Sequence, residues 1–196
     1  TRFNFFWSRS EIFFIYIPHY LYVKYEKNGL QSYLLGLRYV LDWFIVLATF
    51  FVIVVMLSHD ALSHIMFDSF YLQQSKLSLY IIVGQYYFGI YLALANYFTV
   101  VNKKLNLTLL LLFFGIVNLS LNIVFIPVYG FIVAAITTLL CYFSLFISVF
   151  IITKSKTGYN LISKFNWILL SLPMFLLLLL NEQKIYTSNF SAFQEL

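Results

Sequence analysis

Five long apolar stretches decide what this chain can fold into. They lie between residues 32 and 180, and almost no ionised side chain occurs near their centres. Because a helix rises about 1.5 Å per residue, roughly 20 apolar residues are needed to cross a hydrocarbon core of about 30 Å. A water-soluble domain could not bury the apolar surface of a chain that is 62% hydrophobic and 10% charged. The sequence therefore predicts an all-α, polytopic transmembrane bundle.

The five predicted spans divide the chain into three parts. Residues 1–32 are expected to be the end of a truncated helix and a cytoplasmic interfacial segment, because Pro18 and a Ser-Arg-Ser-Glu run interrupt their apolar pattern. Residues 33–180 are expected to form the bundle, and residues 181–196 a polar tail. The spans themselves are predicted at residues 38–57, 77–101, 105–126, 131–153 and 161–180.

Lysine and arginine are spread unevenly over the connections between these spans. Five alternating crossings place ten of the 12 basic residues on one side, and leave only Lys76 and Lys184 on the other. Positively charged loops are retained in the cytoplasm. The net charge of +5 is therefore interpreted as a topology signal, and nucleic-acid binding is disfavoured. The predicted cytoplasmic segments are the N-terminal region and residues 102–104 and 154–164.

Polar residues within the spans fall on narrow helical faces. At about 100° per residue, for example, Asn118 and Asn122 lie within about 60° of Gly115. Because polar side chains that face lipid are penalised, these faces either pack against neighbouring helices or line a hydrated cavity, and both interpretations are open. The candidate cavity or substrate-binding residues are Arg38, Asp42, Gln85, Asn96, Asn118 and Asn122.

Arg38 and Asp42 are the strongest functional candidates among these six. Their i, i+4 spacing lets the two charges neutralise each other near the cytoplasmic end of a span. Ionisable residues within a span are functional candidates by default. A structural ion pair, or an arginine that snorkels to the interface, explains the same pattern.

A second group of ionisable residues lies in the outer connection. Asp60, His64 and Asp68 recur at i, i+4 and i+8 beside His59, a spacing that could present them to a metal ion or a proton. Since no fourth ligand is defined, we favour an amphipathic segment in the outer interface. The single cysteine, Cys141, allows neither an internal disulfide nor a cysteine-ligated metal site. Common hydrolase, ATPase and redox motifs are absent, so we predict no enzyme, cofactor or metal.

One hairpin in the second half of the chain carries a family resemblance. Residues 118–130 read Asn-Leu-Ser-Leu-Asn-Ile-Val-Phe-Ile-Pro-Val-Tyr-Gly, and a run containing small residues follows in 131–138. This resembles the Asn-x-x-Leu-Asn-x-x-Leu-Ile-Pro-x-x-Gly hairpin of polysaccharide flippases of the O-antigen type. These flippases belong to the multidrug/oligosaccharidyl-lipid/polysaccharide exporter superfamily. Val133 stands where that family commonly has glycine.

The resemblance implies that the chain is the carboxy-terminal lobe of a two-lobed exporter, and that its amino-terminal lobe is missing. It further implies outward transfer of an undecaprenyl-pyrophosphate-linked oligosaccharide across the inner (cytoplasmic) membrane, with the lipid tail held in membrane lipid. On this mapping Arg38 is expected to contact phosphate, with Asp42 as its counter-ion. The residues expected to contact sugars or to pack helices are Gln85, Asn96, Asn118 and Asn122.

Two other functions stay open at this point. A drug or metabolite antiporter of the same superfamily would share the fold, but it usually needs a protonatable carboxylate deep in a span, and only Asp42 qualifies. A polytopic membrane enzyme, such as a polysaccharide polymerase, would place its chemistry in the outer connection around His59 to Asp68.

Overall fold

The computed structural model describes the backbone of residues 3–66, 76–101 and 104–194, and the side chains of residues 19–65, 77–101 and 105–180. Within these ranges the chain forms a bundle of helices. They are α1 (Phe3–Leu57), α2 (His59–Met66), α3 (Lys76–Val100), α4 (Lys104–Tyr129), α5 (Ile132–Thr157) and α6 (Lys164–Gln194).

Four helical segments of the described chain are long and apolar enough to cross a membrane: His19–Leu57, Leu77–Val100, Leu105–Tyr129 and Ile132–Thr157. A shorter apolar segment, Lys164–Leu180, corresponds to the fifth predicted span. The predicted all-α transmembrane bundle is confirmed. Apolar side chains account for this directly, because only helices or closed barrels satisfy every backbone polar group within hydrocarbon.

Helix α1 is broken at Gly29, and the two arms fold back on each other. Gly29 has φ 75° and ψ −175°, a conformation that strains any residue with a Cβ. A methyl group on Gly36 would lie 3.0 Å from Cδ2 of Leu21, although a straight helix would separate the two residues by roughly 22 Å. The first arm (residues 3–28) therefore lies roughly antiparallel to the second arm (residues 30–57).

This fold-back differs from the expectation for residues 1–32. Pro18 lies inside the helical first arm and does not end it. A proline removes one backbone hydrogen bond, and helices in membranes tolerate that loss where neighbouring groups compensate. Arg9 lies 20 positions before Gly29, so its backbone falls about 30 Å along the arm from the bend. The prediction that Arg9 shares a side with Lys24 is revised accordingly.

Helix α3 is the centre of the bundle and packs against α1, α4, α5 and α6. Its approach to α5 is close at Gly84, where an added methyl group would lie 3.3 Å from the Leu139 Cα. The hydroxyl of Tyr87 donates to the Leu170 carbonyl oxygen of α6 at 2.9 Å. Most of the aromatic core belongs to α3, with buried Tyr86, Tyr87, Tyr91, Tyr97 and Phe98.

Helix α4 lies at the edge of the bundle, and none of the side chains in residues 105–129 is buried. Its main neighbour is α5, and the chain turns between the two helices at Gly130 rather than over the expected residues 127–130. Pro127 stays helical because it lies in the last turn, and the Gly130 N–H closes that turn on the Ile126 carbonyl at 2.8 Å. Most of the α4 surface is left for lipid or another protein.

The expected polar tail, residues 181–196, is helical up to Gln194. No proline or glycine occurs in residues 181–194, so nothing in the local sequence ends α6 where the apolar stretch ends. The helix therefore extends beyond its apolar part.

Candidate functional site

Arg38 and Asp42 form the ion pair that their spacing predicts. Arg38 Nε lies 3.7 Å from Asp42 Oδ2, and the two side chains are 40% and 29% exposed. This distance permits charge attraction but exceeds that of a good hydrogen bond. The guanidinium carbon also lies 6.0 Å from the centre of the Tyr159 ring, at the limit of a cation–π contact. Within the described chain, the guanidinium donates no hydrogen bond.

The Asp42 carboxylate holds the start of α6. Its Oδ1 accepts the backbone N–H of Ser163 at 3.3 Å and also the side-chain amide of Asn166. Ser163 is in turn the N-cap of α6, because its hydroxyl accepts the Asn166 backbone N–H at 3.3 Å. Asn166 is almost fully buried. Asp42 is thus a docking residue between α1 and α6, whereas Arg38 keeps its donors available.

The surroundings of the pair are basic and aromatic. Three exposed lysines belong to the same α5–α6 connection, and residues 154–164 contain no acidic residue. Tyr39 and Trp43 flank Arg38 on the outside of α1 and are 65% and 54% exposed. Tyrosine and tryptophan concentrate where a membrane meets water. The lysines are Lys154, Lys156 and Lys164.

Gln85 and Asn96 lie on α3 but do not join this cluster. The Gln85 side chain is exposed. Asn96 donates to carbonyl oxygens of its own helix, at 3.4 Å to Leu92 and 3.3 Å to Ala93, and it lines a cavity beside the first arm of α1.

Asn118 and Asn122 join α4 to α5. The Thr137 hydroxyl donates to Asn122 Oδ1 at 2.6 Å, and Asn122 donates to Asn118 Oδ1 at 3.3 Å. Asn118 donates in turn to the Thr138 hydroxyl at 3.4 Å. This ladder fits the packing interpretation of their shared face, since interhelical hydrogen bonds of this kind hold helices together.

The six candidates therefore do not line one common cavity. Arg38 and Asp42 lie at the α1–α6 contact, the two asparagines of α4 lie at the α4–α5 contact, and the α3 residues lie elsewhere. Sequence reasoning missed Asn166, the partner of Asp42. A signal was present, because Ser163 precedes an apolar helical run by one turn, as an N-cap does, and Asn166 occupies the third helical position.

The outer histidines differ from the expected interfacial face. His59 is buried, and its Nε2 lies 2.9 Å from the Ser78 hydroxyl of α3 and 3.3 Å from the Ser63 hydroxyl. Its Nδ1 lies 3.3 Å from Asp60, whose side chain is 73% exposed. An Asp-His-Ser order also occurs in hydrolases, but here an enclosed ring joins α2 to α3.

His64, by contrast, is exposed, and Asp68 lies outside the described residues. Among the described side chains there is no group of three His, Cys, Asp or Glu residues that could hold a metal ion.

The fold defines a class: a multi-pass, all-helical membrane protein whose one partly exposed intramembrane charge pair lies at the junction of α1 and α6. Comparison of the chain with models of protein families, with curated proteins and with solved structures found no match.

Proposed function

We propose that this chain is one lobe of a transporter that moves a lipid-linked oligosaccharide, carried on undecaprenyl pyrophosphate, across the cytoplasmic membrane. Arg38 is the phosphate-binding residue in this proposal. The supporting observation is the division of labour within the ion pair. Asp42 uses one carboxylate oxygen to hold Ser163 and Asn166, while the Arg38 guanidinium donates no hydrogen bond to the described chain.

A guanidinium in this state is suited to phosphate. Its planar fork can donate two parallel hydrogen bonds to phosphate oxygens, and charge-assisted bonds of this type are stronger than neutral ones. The three lysines of the α5–α6 connection add positive charge nearby. The aromatic residues beside Arg38 suit the depth at which a lipid pyrophosphate resides, with its polyprenyl tail in hydrocarbon. The proposed role is transport, with no catalytic residue.

The exposed surface of α4 supports the assignment as one lobe of a larger transporter. Phe113, Leu119 and Ile123 are more than half exposed on a helix that contacts mainly α5. The proposed partner is an amino-terminal lobe of the same polypeptide, with membrane lipid covering the rest. The alternative of a proton-coupled antiporter is less well supported, because Asp42 is already engaged by three groups.

Binding of polyprenyl pyrophosphate to the chain in lipid nanodiscs tests this proposal. Arg38→Ala should weaken binding on the order of tenfold to a hundredfold, since a charge-assisted hydrogen bond contributes about 1.5 to 3 kcal/mol. Arg38→Lys should recover part of this loss, because the charge remains and the fork is lost. Lys156→Ala, which removes an exposed charge from the same connection, is the matched control. Equal affinity of Arg38→Ala and Lys156→Ala would exclude Arg38 as the phosphate ligand.

A further inference from the structure

A cavity of about 250 Å³ lies where the two arms of α1 meet the last turns of α3. It is separate from the Arg38 cluster, and the proposed function does not use it. Its walls combine apolar groups with hydrogen-bonding side chains. They are His19, Leu21, Tyr22, Tyr33, Asn96, Thr99 and Val100.

Tyr33 gives this cavity an unmet hydrogen-bonding demand. The residue is fully buried, and its hydroxyl is the one buried side-chain polar atom in the described chain without a partner. Such a group costs about 1 to 3 kcal/mol when it stays unpaired. Because Tyr33 is a wall of the cavity, a polar occupant placed there lies next to its ring.

Two residues of α3 add further hydrogen-bonding capacity to the same wall. The Asn96 amide nitrogen donates to carbonyl oxygens of its own helix, so its Oδ1 remains an acceptor. Thr99 is exposed and adds a hydroxyl. Hydroxyl and amide groups of this kind match a ligand that itself both donates and accepts hydrogen bonds, such as a polyol.

The size of the cavity restricts the ligand. Pockets for drug-sized molecules measure roughly 300 to 1,000 Å³, so 250 Å³ is too small for an oligosaccharide and large enough for one headgroup. The rim is basic, because Lys24 lies beside Tyr20, 5.0 Å from the ring centre, and Lys27 follows one turn later. Glu26, on the same turn, interacts with Tyr22 and leaves the rim with one excess positive charge.

We propose that this cavity binds the headgroup of an anionic phospholipid that carries free hydroxyls, with phosphatidylglycerol as the representative. The glycerol hydroxyls enter the cavity beside Tyr33, Asn96 and Thr99. The phosphate lies at the basic rim near Lys24, and the acyl chains stay in the bilayer. Exposed Tyr20 and Tyr22, at 54% and 48%, provide the aromatic surface that favours the membrane interface.

Thermal unfolding of the chain in detergent, followed by circular dichroism, tests the site. Phosphatidylglycerol at about a hundred times its dissociation constant should raise the Tm by about 5 to 10 °C. Phosphatidic acid has the charge without the glycerol hydroxyls, and phosphatidylcholine has neither the net charge nor the hydroxyls. Both should therefore give smaller shifts. An equal shift with phosphatidylcholine, or with soluble glycerol 3-phosphate, would overturn the assignment to a lipid headgroup.

Tyr33→Phe separates a ligand site from a merely unsatisfied hydroxyl. Without lipid this variant should unfold at a higher temperature than the wild type, because an unpaired buried group is removed without loss of ring volume. Its response to phosphatidylglycerol should nevertheless be reduced to about half, as should that of Thr99→Val. Ser120→Ala, on the exposed face of α4, is the control and should respond fully. Wild-type lipid responses in both cavity variants, or a lower lipid-free Tm for Tyr33→Phe, would refute the proposal.

Discussion

The side-chain amide of Asn166, in the first turn of α6, donates a hydrogen bond to the Asp42 carboxylate of α1, 124 residues earlier. The same carboxylate oxygen accepts the Ser163 backbone N–H. The acidic member of the ion pair therefore has a structural task that its basic partner does not share. The two members should respond differently to substitution.

Asp42→Ala should destabilise the bundle by about 2 kcal/mol, since it removes a charged acceptor from two donors at a helix start. Arg38→Ala should cost less than about 1 kcal/mol, because a half-exposed pair separated by 3.7 Å contributes little. Denaturant unfolding in mild detergent measures both. Equal losses for the two variants would show that the ion pair, and not the α6 contact, is what Asp42 contributes.

Thr137→Val should weaken the α4–α5 contact by about 1 kcal/mol, the usual size of an interhelical hydrogen bond in a membrane. It deletes the 2.6 Å donation to Asn122 with little change in shape. Ser120→Ala is the matched control, because the Ser120 hydroxyl bonds only to the Ile116 carbonyl oxygen of its own helix. Thermal unfolding of both variants should show a loss for Thr137→Val alone.

Gly84→Ala should destabilise the protein by about 1 to 3 kcal/mol, because the new methyl group meets the α5 backbone at 3.3 Å. Gly115→Ala makes the same chemical change where nothing lies within 4 Å. There alanine should be neutral, or stabilising by up to about 1 kcal/mol, through its higher helix propensity. Opposite signs in the two unfolding curves are expected. A tolerated Gly84→Ala would indicate that α3 and α5 separate easily.

His59→Ala should lower stability by about 1 to 3 kcal/mol, since a buried ring that bonds to Ser78 is lost. His64→Ala, on the exposed side of the same helix, should stay within about 0.5 kcal/mol of the wild type. The fraction of correctly inserted, monodisperse protein for each variant gives a first measurement. The sequence alone predicted that both histidines are dispensable.

Cysteine labelling in a Cys141→Ser background tests the topology. Cysteines at Asn28 and Asn160 should react with an impermeant reagent from the same side of the membrane, and a cysteine at Phe131 from the other. All three positions are exposed at helix ends. The basic connections predict that the shared side is the cytoplasm. Labelling of Asn28 and Asn160 from opposite sides would contradict the antiparallel order of the bundle.

The sequence by itself determined the helical class, the approximate position of the spans and the charge pair. Each of these depends on residues within a few turns of one another: apolar length predicts a crossing, and i, i+4 spacing brings Arg38 to Asp42. The shared face of Asn118 and Asn122 was readable for the same reason. Helical periodicity is a local property, so it survives whatever the rest of the chain does.

Only the tertiary structure decided which faces meet. Gly29 was one of seven glycines in the sequence, and nothing local indicated that the chain folds back there to bring Leu21 against Gly36. The docking of Asp42 on Asn166 joins residues 124 positions apart, so it depends on the packing of α1 against α6. Within hydrocarbon, helices do not choose their partners by hydrophobicity, because lipid is as apolar as leucine. Close packing and a few hydrogen bonds select the neighbours, and these contacts exist only once the bundle has formed.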